Sequence, residues 1–209
     1  ILMGRKMSIR NKIISNTNYL FFNWIIVTLM ASLYCFAAGK TLLPKEYGIV
    51  STSINLVVLL AGIGSLGLNT TVGKLIPEYQ SRRQEGKINF LVRFSLKTVF
   101  LSNLIILSII LYLSSFLSHI FNIPLNVIWI NAVILLIYSI SLQFGFILFG
   151  FQNMKKMATT ELFGQLAKVL FSITLVLVGF RYFGLLIGFL IGTFLTSLLR
   201  FFSISFKGQ

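Results

Sequence analysis

An all-α membrane protein with six transmembrane helices is the fold class this sequence predicts, and three observations predict it. Six long apolar runs fill most of the 209 residues. Hydrophobic residues make up 56% of the chain and charged ones 11%, with a mean hydropathy of +0.92, whereas soluble domains carry about 25% charged residues. The cations collect in alternate gaps between the runs.

A spanning helix needs roughly 20 apolar residues, because it rises about 1.5 Å per residue across about 30 Å of hydrocarbon. The expected spans are 17–39, 47–68, 90–113, 124–150, 158–180 and 182–206, preceded by an N-terminal segment 1–16 and followed by a short end 207–209. The first follows Arg5, Lys6, Arg10 and Lys12 and ends near Ala37-Ala38-Gly39. That pattern also suits a signal peptide. Its apolar stretch exceeds the roughly 7–15 residues of a signal core, however, and five more runs follow, so a retained span is expected. The second run is interrupted by glycines, and Gly62-Ile63-Gly64-Ser65-Leu66-Gly67 lacks the strand that a nucleotide-binding glycine loop requires. The third follows the most basic gap. The fifth and sixth lie so close that they form a tight hairpin around Arg181. In the sixth, Gly184, Gly188, Gly192 and Thr196 recur every four residues, a small-residue ridge that lets another helix approach closely.

Fifteen of the eighteen Lys and Arg residues fall on one side of this arrangement. They are the four N-terminal cations, then Lys74, Arg82, Arg83, Lys87, Arg93 and Lys97, then Lys155, Lys156 and Lys168, then Arg200 and Lys207. Lys40, Lys45 and Arg181 face the other side. The bias predicts a multi-pass cell-membrane protein with both termini cytoplasmic. The net charge of +14 therefore orients the chain against membrane lipids, and these short connectors offer no nucleic-acid-reading face.

Cys35 and His119 are each the only one of their kind, the chain has no Asp, and its acids are Glu46, Glu78, Glu85 and Glu161. No metal site and no cofactor are expected. An enzyme, such as a membrane glycosyltransferase or polymerase, would gather acid/base or metal-binding groups at one face, and no such cluster is present in the sequence. Trp24 and Trp129 are ordinary membrane-helix residues.

Leu43-Pro44-Lys45-Glu46-Tyr47-Gly48 precedes the second run, Leu66-Gly67-Leu68-Asn69 closes it, and Lys74-Leu75-Ile76-Pro77-Glu78-Tyr79 lies in the next gap. Further on come Leu148-Phe149-Gly150-Phe151-Gln152-Asn153-Met154-Lys155 and then Glu161. In this series the chain resembles the O-antigen-type oligosaccharide flippases of polysaccharide biosynthesis, within the multidrug/oligosaccharidyl-lipid/polysaccharide superfamily. The resemblance implies a MATE-like fold of two six-helix lobes, of which this chain would be the N-terminal one. Because it starts at Ile1 and ends just after the sixth run, a fragment is expected, whose partner is a missing C-terminal lobe or a second chain.

Along the fifth run Glu161, Gln165, Lys168 and Ser172 share one helical stripe. Ionisable groups at membrane depth usually face a bundle interior or a watery cavity, which makes Glu161, Gln165 and Lys168 candidates for the substrate pathway. Equally open is a bland reading in which Glu161 sits at the interface and Lys168 snorkels to the headgroups. Asn55 and Asn69 on the second helix, Asn18 and Asn23 near one end of the first, and Lys40 near its other end are further pathway candidates, with helix packing or interfacial placement as alternatives. The resemblance implies a transporter that flips a lipid-linked oligosaccharide by alternating access. Three alternatives stay open: a MATE-type multidrug or cation antiporter, an inactive isolated lobe, and the enzyme already set aside.

Overall fold

The computed structural model describes residues 2–204, with side chains from residue 17 onward. The side chains of Arg5, Lys6, Arg10 and Lys12, residues 205–206 of the sixth expected span and the end segment with Lys207 lie outside the described residues. Within them the chain forms α1 (Leu2–Thr41), α2 (Pro44–Gly64), α3 (Leu68–Ser81), α4 (Glu85–Tyr112), α5 (Ser114–Phe121), α6 (Leu125–Gly150), α7 (Met154–Leu175) and α8 (Arg181–Ser203). Five stretches are long and apolar enough to cross a membrane. The last of them, Met154–Ser203, reverses direction within itself and so holds two spans.

Two short helices occupy gaps that the sequence left unassigned. At Leu66 and Gly67 the backbone turns left-handed, with φ of 49° and 73°, which ends α2 three residues before Gly67 and starts α3 in a new direction. Glycine adopts such angles without steric cost. α3 then buries Val72 and Ile76 completely against α6 and α4. Its exposed side carries the Glu78–Arg82 ion pair at 2.9 Å. α5 follows α4 and closes the opposite end, where Ser118 donates to the Ile123 carbonyl at 2.8 Å.

α6 is the axis of the bundle. It is apolar nearly all round, the pattern of a helix enclosed by others, and it packs against α2, α3, α4 and α8. Three core clusters stack along it. Ile123, Val127 and Ile128 meet Tyr34, Ala38 and Leu186 at the end with few charges; Ile134 and Leu135 meet Val57, Ala61 and Phe189 in the middle; Phe144, Ile147 and Leu148 meet Val72, Ile76 and Val92 at the basic end. α1 joins this bundle by one half only. From Thr17 to Leu33 none of its residues is buried, and the first that is buried is Tyr34, whose hydroxyl donates to the Leu185 carbonyl at 3.1 Å.

The α7–α8 hairpin is the tightest contact. It turns through Val176–Phe180, where Gly179 takes a φ of 106° that suits glycine alone. A Cβ added at Gly184 would stand 2.9 Å from the Val176 nitrogen, one at Gly188 2.6 Å from the Ser172 nitrogen, and one at Gly192 2.5 Å from the Lys168 Cβ. Small residues let the two backbones approach this closely, and dispersion over the contact replaces a hydrophobic drive that lipid cannot supply. At the low-charge end the hairpin is tied to the rest of the lobe. Glu46 accepts from the Leu43 N–H at 3.2 Å, helping to start α2, and pairs with Arg181 Nε at 2.8 Å.

Overpacking a close contact costs roughly 1–3 kcal/mol, so Gly188→Ala is expected to lower stability by about that amount. Gly62→Ala, where an added Cβ meets nothing within 4 Å, is expected to be neutral or to stabilise by up to about 1 kcal/mol through helix propensity. Thermal unfolding in detergent reads the two signs, and equal behaviour would remove the packing role of Gly188.

Candidate functional site

The hairpin's geometry decides which polar groups meet. Two antiparallel helices joined at residue 180 bring together positions equidistant from the turn, so Ser172 faces Gly188, Lys168 faces Gly192 and Gly164 faces Thr196. One step further, Glu161 faces Arg200, and the two form an ion pair through Oε2 and Nη2. The pair is removed from solvent, with side-chain exposures of 21% for Glu161 and 6% for Arg200.

Three neighbours complete this network. Gln165, one turn along α7, donates from Nε2 to Glu161 Oε1 at 2.8 Å. Arg200 Nη1 donates to the Ser141 carbonyl at 2.8 Å and reaches the Ser141 hydroxyl at 3.3 Å. Gly145 leaves room for the guanidinium, since a Cβ there would lie 3.1 Å from Nη1. α6, α7 and α8 are thus held together near the basic end by one planar cation. The guanidinium's fork of donors serves two acceptors at once, which an ammonium would do less well.

Lys168 sits apart from this network, fourteen residues into α7 or roughly 20 Å from its start at 1.5 Å per residue. Its ammonium lies 5.3 Å from the centre of the Tyr34 ring and 5.3 Å from that of Phe189. The Phe189 ring is in turn 6.0 Å from Tyr138. Aromatic faces attract a cation, by about 2 kcal/mol when it is desolvated, yet they supply no countercharge. Among the described residues the ammonium has no hydrogen bond and no direct ion pair, and the Glu161 carboxylate acts on it only from a longer range. It is half-buried between α1, α7 and α8. Next to it Ser172 is wholly buried, close to the Tyr34 hydroxyl.

The remaining candidates are scattered. Asn55 is exposed on α2, 3.5 Å from Ser51 Oγ. Asn69 starts α3, with Oδ1 buried and unpartnered. Asn18 is exposed and Asn23 half-buried on the part of α1 in which no side chain is fully buried. Lys40 is exposed at the far end of α1, 4.7 Å over the Phe36 ring. The structure brings together Glu161 and Gln165 and places Lys168 on the same stripe; among the described residues no hydrogen bond or ion pair joins any of the five others to these three. The sequence reading missed Arg200, counted there only as an end charge, together with Ser141 and the fully buried Gln143, neither of whose amide atoms has a partner. A signal for Arg200 existed: it is the next four-residue step after Gly184, Gly188, Gly192 and Thr196.

A family model described as polysaccharide biosynthesis protein matches residues 13–208. No curated protein matches the chain. Among solved structures, a MATE crystal structure in the straight conformation is similar with a TM-score of 0.76 at 13% identity, over 87% of this chain and 42% of that one. A MATE in the bent conformation gives 0.75 at 17% identity, over 91% and 45%. An outward-facing multidrug resistance MATE family transporter of the MOP superfamily gives 0.72 at 16% identity, over 87% and 43%. The chain therefore has the fold of part of a MATE protein and spans less than half the length of these chains.

Removing one partner of a buried ion pair costs roughly 3–5 kcal/mol because the other charge is left uncompensated. Arg200→Met is expected to lose about that much stability, and Glu161→Gln added to it is expected to recover a large part. Denaturation in mixed micelles, run as a double-mutant cycle, measures the coupling; additive losses would mean that the two side chains act independently.

Proposed function

The chain belongs to the polysaccharide biosynthesis protein family, and on that premise we propose that it is one lobe of a membrane transporter that moves a lipid-linked oligosaccharide or polysaccharide precursor between leaflets. In this reading the complete carrier has two lobes, the second supplied by a further part of the chain or by another chain. Their rocking exposes a shared cavity alternately to each side. The basic end faces the cytoplasm, as the distribution of cations favours.

One observation carries the reading. Lys168 is a cation well inside a membrane-length helix, flanked by rings and without a direct ion pair, while the carboxylate that acts on it from along the stripe, Glu161, is already engaged by Arg200 and Gln165. A charge held at the bilayer centre costs about 2.5–3.5 kcal/mol on insertion scales, so such groups mark functional sites. A phosphate-linked sugar brings the missing negative charge, and Lys168 would lower the cost of carrying it through hydrocarbon.

The rival is a multidrug or cation antiporter, which the names of the similar structures suggest for those proteins. A cationic substrate would need an available carboxylate at depth. Here Glu161 is paired, and the nearest free charge on the stripe is positive. The proposed role is carriage rather than catalysis.

In the complete transporter, Lys168→Ala is expected to cut complementation of a flippase-deficient strain severely while membrane insertion stays normal, and Lys168→Arg to retain part of it. Full complementation by Lys168→Ala would remove Lys168 from the pathway.

A further inference from the structure

We infer that the basic end of the lobe carries a second anion site, for the phosphate-bearing headgroup of an anionic phospholipid, in a cavity bounded by the α3–α4 turn, the α6–α7 turn and the end of α8. The cavity has a volume of about 660 Å3. It lies at the start of α7, twelve residues or roughly 18 Å along the helix from Lys168, so it does not depend on the transport reading.

Its two parts differ in chemistry. The inner wall is apolar, built from Ile88, Val92, Leu148 and Ile204, all buried. The rim is polar, with Arg83 and Lys156 as its cations and the amides of Asn89 and Asn153 beside them. Glu85 is the one acid on the lining, so positive charge exceeds negative. Arg82, next in the chain, is neutralised by Glu78 at 2.9 Å, but the Arg83 guanidinium has no ion-pair or hydrogen-bond partner among the described residues. Lys156 donates to the Ser203 carbonyl at 3.1 Å. That bond holds the ammonium at the wall and leaves two of its three donors for a ligand.

A guanidinium and an ammonium on the lining of one cavity suit a phosphate, which accepts from several donors at once. The apolar wall argues for a lipid over a soluble anion. A free phosphate would leave that wall wet, whereas a phospholipid covers it with glycerol and the first carbons of its chains while the headgroup meets the rim. The location agrees, because a basic pocket between helix ends on the cation-rich side is where anionic headgroups concentrate.

The test is binding of phosphatidylglycerol and phosphatidylcholine of equal chain length to the full chain in neutral detergent, read by native mass spectrometry. Phosphatidylglycerol is expected to bind about tenfold more tightly, a difference of about 1.4 kcal/mol. Arg83→Gln should abolish that preference, Arg83→Lys should keep part of it, and Lys97→Gln, an equal loss of charge outside the cavity, should leave it intact. The proposal is overturned by a wild-type protein with no preference, by a preference that survives Arg83→Gln, or by one lost equally in Lys97→Gln. Displacement of the lipid by millimolar inorganic phosphate, with the same dependence on Arg83, would make this a soluble-anion site and overturn the lipid assignment.

Discussion

The close antiparallel fit of α7 against α8 is the constraint from which the rest of the lobe follows. A hairpin with its turn at 180 admits one register at contact distance, and the ridge of Gly184, Gly188 and Gly192 selects it by leaving no side chain in the way. Once that register is set, Arg200 has to meet Glu161, and Lys168 is laid over the smallest residues of the opposing helix. Neither result is chosen separately. The ion pair then makes a slipped register unfavourable, because each charge would be left without its partner in a medium that solvates it poorly. Packing sets the register and electrostatics defends it.

The same hairpin ties the bundle together at both ends. At the low-charge end Arg181 pairs with Glu46, which also starts α2; near the basic end Arg200 reaches α6 through Ser141. Of the four acids in the chain, Glu46, Glu78 and Glu161 are each committed to an arginine. The carboxylates at Glu46 and Glu161 are therefore structural, Glu85 lies at the basic end on the α3–α4 side, and the charge left without an ion pair on the α7 stripe is cationic. This division gives the lobe its selectivity in the proposed role: an anionic headgroup finds an uncommitted charge at Lys168, and a cation does not. α1, which buries side chains fully only from Tyr34 onward among its described residues, joins this framework mainly through its second half.

Much of the architecture was legible in the sequence because hydrocarbon imposes length and polarity rules that are stricter than those of water. Six apolar runs gave six long helices, and the hairpin at Arg181 was readable from the shortness of its connection. The glycine ridge was readable as a packing surface, though the helix it meets was not. α3 and α5 were missed for a physical reason: each is amphipathic and short, lying at an end of the bundle, so neither produces a run long enough to register as a span. The ion pair of Arg200 went unread because charge near the end of a span normally marks an interface. Its partner was identifiable only by counting back from the turn, an operation that needs the hairpin to be closely packed and not merely short. The scattered asparagines illustrate the opposite limit, since a polar residue on a membrane helix does not reveal which neighbour, if any, it faces.

The register itself is open to a direct measurement. In a Cys35→Ser background, cysteines at 161 and 200 face each other across the hairpin and leave the glycine ridge intact, whereas cysteines at 161 and 196 are offset by a helical turn. A short bifunctional thiol reagent in native membranes is expected to join the first pair rapidly and the second hardly at all. Joining of 161 with 196 in preference to 200 would contradict the register, and with it the pairing of Arg200 with Glu161 and the placement of Lys168.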